Sequence, residues 1–422
     1  MNMFTEDQET KKLVDELKSR KLDKKVYSDI VDEDGNQYVD LVQEGGGMLG
    51  IALTGYTSML EKAGIRFYSL AGTSAGAINS MMIAGLARVG EPVSEKVLDM
   101  LANKDLYELV DGHPGVAKMV RHYLDGRSCL LPRLLYNARR LWILLTGHLG
   151  LNPGNNFQEW IQENLQQAGI RNLADLERHR RHLPAIYDRT TGQQVQREAA
   201  LKLLTADITT RSKVTFPEMA HLYWIDPSAL SPASFVRASM SVPFFFQPML
   251  VSNIPGGGTR EDLTIPKHNT KWRQYTGYYG VIPKKVRFVD GGMLSNFPIS
   301  AFHKTDGLPL KPTFGVRLST WRDEYAETGT LFGLSSAMVS TMRQLHDYDF
   351  LLKNPDYKQL ICSIDADAKK DEDGNPLFFW LDFNMPREKQ LLLYQLGARK
   401  AIEFLEKFSW EDYKETRKKA LS

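Results

Sequence analysis

Tyr38-Val-Asp-Leu-Val-Gln-Glu-Gly45-Gly46-Gly47-Met48-Leu49-Gly50, followed by Ile65-Arg-Phe-Tyr-Ser-Leu-Ala-Gly72-Thr-Ser74-Ala-Gly76, decides how this chain is read. Residues 38 to 42 form a short apolar-rich strand that runs straight into a glycine loop. From 51 to 63 the apolar pattern is helical, and Gly64 suits a left-handed stop. A second strand, 65 to 70, enters a sharp turn around Ser74, and a helix apolar on nearly every side leaves it over 77 to 86. Strand, glycine loop, helix, strand, turn, helix is the opening of an α/β layered fold.

The same alternation returns further along. Strand-like runs lie at 201 to 208, 222 to 225, 286 to 289, 313 to 318 and 360 to 364. An amphipathic helix closes the chain, with Leu391, Tyr394, Ala398, Ile402, Leu405 and Phe408 on one face. Strands on both sides of a mostly helical middle favour one core with insertions over two domains. The expected layout is an N-terminal appendage over 1 to 36, one domain over 37 to 410 and a C-terminal tail over 411 to 422. A helical insertion occupies about 92 to 200, and a Gly- and Pro-punctuated loop excursion about 251 to 280.

Composition narrows the class of function. Among 422 residues, 53 Lys plus Arg against 51 Asp plus Glu leave a formal charge of +2, too balanced for a dedicated nucleic-acid binder. Two cysteines, Cys129 and Cys362, are too few for a disulfide scaffold or a thiolate metal site, and two unconnected thiols in a reducing compartment is the plainer reading. The first residues are acidic where a signal peptide is basic, and no apolar run approaches a spanning helix. The expectation is a cytoplasmic protein with peripheral contact at membranes.

Gly72-Thr-Ser74-Ala-Gly76 sits between a strand and a helix, where a strained turn lifts the hydroxyl clear of its neighbours. The helix amino terminus beneath offers free N–H groups and a field that favours negative charge. An ordinary tight βα turn is the plain alternative. Gly45, Gly47 and Gly50 also fit a dinucleotide fingerprint, but no acid stands at the end of the second strand. An oxyanion hole is the better use of those glycines, because their N–H groups can converge without side chains in the way. A serine nucleophile needs a base, and none of the nine histidines sits in a catalytic-looking loop. Asp290, in Arg287-Phe-Val-Asp290-Gly291-Gly292, ends a strand and is followed by two glycines. The residues alone leave it open between a general base and an ordinary strand-end turn. Asp365-Ala-Asp-Ala-Lys-Lys-Asp371 has lysines where a calcium loop needs an oxygen ligand and a glycine, so no metal is expected; 371 to 375 reads as a hairpin turn.

The three motifs in this order resemble the patatin-like phospholipases, serine acyl hydrolases with a Ser–Asp dyad and no catalytic histidine. Residues 237 to 243 with 246 to 248, and the closing helix, are similar to the family as well; the resemblance covers roughly 38 to 408 and is weakest over 92 to 200. It implies a three-layer α/β/α fold around a mainly parallel sheet, with Ser74 as nucleophile and Asp290 as its base. It further implies an oxyanion hole from Gly45, Gly46 and Gly47, supported by Gly50, Gly72, Gly76, Gly291 and Gly292. No cofactor follows from it, and the expected partner is a membrane or micellar lipid, not nucleic acid. Leu49 departs from the Lys or Arg that many members carry there. Two other readings stay open: a serine esterase for soluble or protein esters, and a silent lipid-binding module. Finally, Leu134, Leu135, Ala138, Leu141, Trp142 and Leu145 share one helical face over 131 to 150, beside Arg133, Arg139 and Arg140. That helix is either packed on the core or forms a lid that meets anionic membrane.

Overall fold

The structure is a computed structural model that describes residues 2–112, 147–195, 198–259, 271–305, 307–321, 325, 328–329 and 331–421. The helix expected over 131 to 150 lies outside the described residues but for its last four positions, as does Cys129.

The chain begins with β1 (Ile30–Asp32), β2 (Gln37–Gln43) and β3 (Ile65–Thr73). Two short strands follow, β4 (Gly150–Asn152) and β5 (Ile186–Asp188), and then β6 (Leu201–Asp207) and β7 (Ser212–Phe216). The last five are β8 (Phe244–Phe246), β9 (Met249–Ser252), β10 (Lys285–Asp290), β11 (Thr313–Arg317) and β12 (Ile361–Ser363). The main sheet runs β12-β11-β2-β3-β6-β10-β9. From β12 through β6 every neighbour is parallel, whereas β10 and β9 join in antiparallel sense. Near-continuous burial of β2, β3 and β11 fits strands covered on both faces. This is the three-layer α/β/α architecture around a mainly parallel sheet.

Helix α1 (Ile51–Lys62) connects β2 to β3, and α2 (Ala75–Leu86) leaves β3. Gly64 takes φ +78° just past α1, the left-handed stop its position suggests. Along α1 runs the closing helix α3 (Arg387–Lys407). Their backbones meet at Gly55, which faces the Tyr394 carbonyl, and at Gly397, which faces the Ala52 carbonyl; a β-carbon at either position would overlap the opposing helix.

Four expectations need correction. Residues 2 to 36 are no appendage: Phe4, Leu13, Leu17 and Tyr27 are buried in the main core, and β1 pairs with β2. The last residues are no tail, because a helix over Trp410–Leu421 buries Trp410, Tyr413 and Arg417, and Arg417 pairs with the buried Asp356 at 3.2 Å. Residues 222 to 225 are not a strand. Tyr223 and Trp224 instead pack with Phe216, Phe235 and Phe288, and Ile225 is left exposed. The excursion over 251 to 280 also contributes to the core, through the edge strand β9 and the buried Trp272. About half of the described part of the insertion is helical, and its helices Ser94–Ala102 and Asn155–Gln167 help to wall the cavity described next. Residues 371 to 375 form the expected turn, with Asp371 accepting from the Asn375 N–H and Gly374 at φ +82°.

Candidate active site

Sheet register brings the two key residues together. Thr73 on β3 pairs with Leu204 on β6, and Asp290 on β10 pairs with Thr205, so one strand separates the nucleophile candidate from the base candidate. Two strand spacings are roughly 10 Å, and the side chains narrow that gap: the Ser74 hydroxyl comes near enough to Asp290 to favour its charged form.

Ser74 takes φ 51° and ψ −116°, a backbone state that disfavours any residue with a β-carbon. Its surroundings hold it there. The Ser74 N–H donates to Ser239 Oγ at 3.0 Å, and that hydroxyl donates to the Leu204 carbonyl at 2.5 Å. The Ser74 carbonyl receives the first helical bond of α2, from Ile78. Gly72 and Gly76 face each other across the turn with no room for a β-carbon, Gly76 abuts the Gln43 carbonyl, and Gly50 sits against Ala75. The expected elbow is therefore present.

Asp290 is buried, and burial pushes its carboxyl above the usual carboxylate range. The positive charge of Arg343, the nearby Ser74 hydroxyl and a hydrogen bond from the Gly292 N–H at 2.7 Å oppose that rise. A carboxylate with raised proton affinity is a better base than a solvated one. Gly291 packs on the Leu204 carbonyl where no side chain fits, which keeps β10 close to β6. The remaining loop is tied down: the Ser295 hydroxyl and the Phe297 N–H donate to the buried Asp347 at 2.6 and 2.8 Å, and the Thr73 hydroxyl donates to the Ser295 carbonyl. Burial raises the Asp347 carboxyl to about 7.

The glycine loop divides its amides between structure and site. The Gly45 N–H donates to the Asn296 carbonyl at 3.0 Å and the Met48 N–H to the Trp380 carbonyl at 2.8 Å. No hydrogen bond to a described residue occupies the Gly46 or Gly47 N–H. The Gly45 N–H is thus taken up by the scaffold, which leaves Gly46 and Gly47 as the candidate donors among the three glycines expected to form the hole. Gly47 has φ +54°, and a β-carbon there would overlap the Trp380 carbonyl oxygen. Gly47→Val is expected to displace the loop and lower ester turnover by at least about 10²-fold, the scale of losing one oxyanion donor. Circular dichroism should still report a folded chain. Near-full turnover would place the oxyanion elsewhere.

Ser74 opens onto an apolar cavity enclosing about 770 Å³ of empty space, its mouth included. Ile51, Met82, Leu101, Phe157, Trp160 and Phe246 are among the walls, and Gly47 lines the cavity together with Ser74. Among the described histidines, 148, 179, 182, 221, 303 and 346, none lines it. The described residues hold no cluster of metal-ligating groups, and no described helix is long and apolar enough to cross a membrane.

The sequence reading missed Ser239, Asn296 and Arg343. Ser239 lies inside the stretch 237 to 243 noted for its family likeness, whereas nothing local marks the other two.

Comparison with known proteins adds the following. The family description patatin-like phospholipase matches residues 41–303. An uncharacterized protein of Bacillus subtilis, YqhO, is 28% identical over 375 residues, covering 88% of this chain and all of that protein. Among solved structures, VipD from Legionella pneumophila aligns with 90% of this chain and 70% of its own at 14% identity and a TM-score of 0.40. A structure of the SpcU–ExoU complex from the type III secretion system of Pseudomonas aeruginosa aligns over 88% of this chain and 53% of its own, at 15% identity and a TM-score of 0.36.

Proposed function

The chain belongs to the patatin-like phospholipase family, and from that premise, which supports lipid hydrolysis in the broad sense, we propose that it is a serine acyl hydrolase cleaving fatty-acyl esters of phospholipids or related lipids. The observation that carries this reading is Ser74 on a strained turn, beside the buried Asp290 and lining an almost wholly apolar cavity. A soluble ester has no use for such walls, whereas burying an acyl chain gains roughly 0.8 kcal/mol per methylene.

In the proposed reaction the Ser74 oxygen attacks the ester carbonyl carbon while its proton passes to Asp290. Gly46 and Gly47 donate to the oxyanion, with the amino terminus of α2 adding a favourable field. The tetrahedral intermediate collapses, and the leaving alcohol or lysolipid takes the proton from Asp290. Water then attacks the acyl-enzyme, Asp290 accepts its proton, and the fatty acid leaves as Ser74 is reprotonated. No histidine and no metal is needed for these steps. Contact with lipid at a membrane or micelle surface belongs to the same proposal.

The test is incubation of purified protein with mixed membrane lipids, followed by mass spectrometry of released fatty acids and lysolipids. Long-chain fatty acid is the expected product. Hydrolysis confined to short water-soluble esters would favour the soluble-esterase reading, and binding of lipid with no hydrolysis of any ester would favour the silent module.

A further inference from the structure

A second cavity borders the same glycine loop, at Gly45, Gly46 and Leu49, where the first touches Gly47, Met48 and Gly50. It holds about 680 Å³ of empty space, mouth included, and its walls are polar and apolar in about equal measure, where those of the first are almost wholly apolar. Glu44, Asn296, Ser319, Arg343, Asp367 and Trp380 contribute to its walls.

The charges in this cavity are unequally satisfied. Glu44 accepts from the Leu318 N–H at 2.6 Å, the Ser319 N–H at 2.9 Å and the Ser319 hydroxyl at 2.7 Å, and it faces Arg317 at 3.8 Å. Its charge is neutralised in place. Asp367 accepts from the Thr320 N–H, and burial raises its carboxyl, which favours the uncharged form. Arg343 differs. Among the described residues it forms no ion pair, and it donates from Nη2 to Asn296 Oδ1 at 2.9 Å. Asn296 in turn donates to the Gly45 carbonyl at 3.0 Å, so the guanidinium is oriented by the glycine loop itself. A guanidinium carries five donors in a planar fork that matches a phosphate, and a single neutral acceptor leaves most of them unused.

Resting on the acyl-hydrolase reading, we propose that this second cavity receives the leaving-group side of the lipid and that Arg343 binds its phosphodiester. The acyl chain fills the apolar cavity beside Ser74 and Gly47, and the glycerol carries the phosphate past the loop to Arg343, a few bonds from the scissile ester. The site thereby selects glycerophospholipids over neutral acylglycerols. It also couples selection to chemistry. Arg343 holds down the proton affinity of Asp290, and an anion seated on the guanidinium relaxes that pull once the ester is in place.

The experiment uses the full chain, wild type and the variants Arg343→Gln and Arg343→Lys. Dioleoylphosphatidylglycerol and dioleoylglycerol are presented at equal mole fraction in neutral detergent micelles. The readout is the ratio of kcat/KM for phospholipid over acylglycerol. Arg343→Gln is expected to lower that ratio by about 10- to 100-fold, the span of a lost hydrogen-bonded charge contact, and Arg343→Lys by less. A ratio within twofold of wild type in a folded Arg343→Gln protein overturns the proposal. So does a wild type that prefers the acylglycerol, a result that needs no variant to fold. Inorganic phosphate separates the two sources of the anion. Weak inhibition is expected, and tight competition with an unchanged lipid ratio would assign the cavity to free phosphate and overturn the proposal. If the wild type hydrolyses neither lipid, the acyl-hydrolase reading fails, which is distinct from a failure confined to the ratio.

Discussion

Ser74→Ala is expected to lower phospholipid acyl hydrolysis by at least about 10³-fold, because removing one member of a catalytic unit disables the whole. The expectation rests on geometry as well as motif. Ser74 occupies a backbone state held by Ser239 and by the close packing of Gly72 on Gly76, and its hydroxyl lies near the buried carboxylate of Asp290. Alanine fits the same space and keeps the N–H bond to Ser239, so the fold should be unchanged. Initial-rate assays with a long-chain phospholipid, paired with thermal melts, check both halves. A folded Ser74→Ala protein with more than a tenth of wild-type activity would remove Ser74 from the mechanism.

Asp290→Asn should be comparably severe for the same reason, and its signature is more specific. Asparagine keeps the acceptor for the Gly292 N–H but cannot take the Ser74 proton. Burial raises the proton affinity of Asp290, so wild-type kcat/KM should fall as pH drops through a value above the ordinary 3.8 of an aspartate. Stability should move the other way. The folded state binds this proton more tightly than the unfolded chain, so the contribution of Asp290 is fully present below its unfolded value and is lost as pH rises through its folded value. At neutral pH the neutral amide avoids that loss, and Asp290→Asn should melt no lower than wild type. Replacing His303 or His346 by Gln should leave most of the activity, since neither approaches Ser74. A folded histidine variant as inactive as Ser74→Ala would overturn the dyad.

The glycine loop, the serine turn and the first two parallel strands were legible because each is written locally. A glycine or a strained turn leaves its mark within five residues of sequence. Asp290 was legible as a strand end, but not the route by which it reaches Ser74. That route depends on β10 joining β6 in antiparallel sense, and a six-residue strand does not encode the direction of its neighbour. Arg343 and Asn296 meet only because the helix Leu331–Lys353 crosses the loop after β10, and a charge on a helix surface looks solvated until its neighbour is known. The bond from the Gly45 N–H to the Asn296 carbonyl was not legible, because hydrogen-bond partners are a tertiary property. The terminal segments were misjudged on composition. Residues 8 to 19 are mostly polar, yet Leu13 and Leu17, one turn apart, are enough to seat the helix on the core.

The most direct test of the account is peptide mapping by mass spectrometry after treatment with a long-chain alkyl fluorophosphonate, which reports which oxygen is activated beside an acyl-binding cavity. The account predicts one phosphonyl adduct, on Ser74, formed in step with loss of lipid hydrolysis and absent from Asp290→Asn. An adduct on another residue that tracks the loss of hydrolysis, or complete inactivation with Ser74 unmodified, would contradict it.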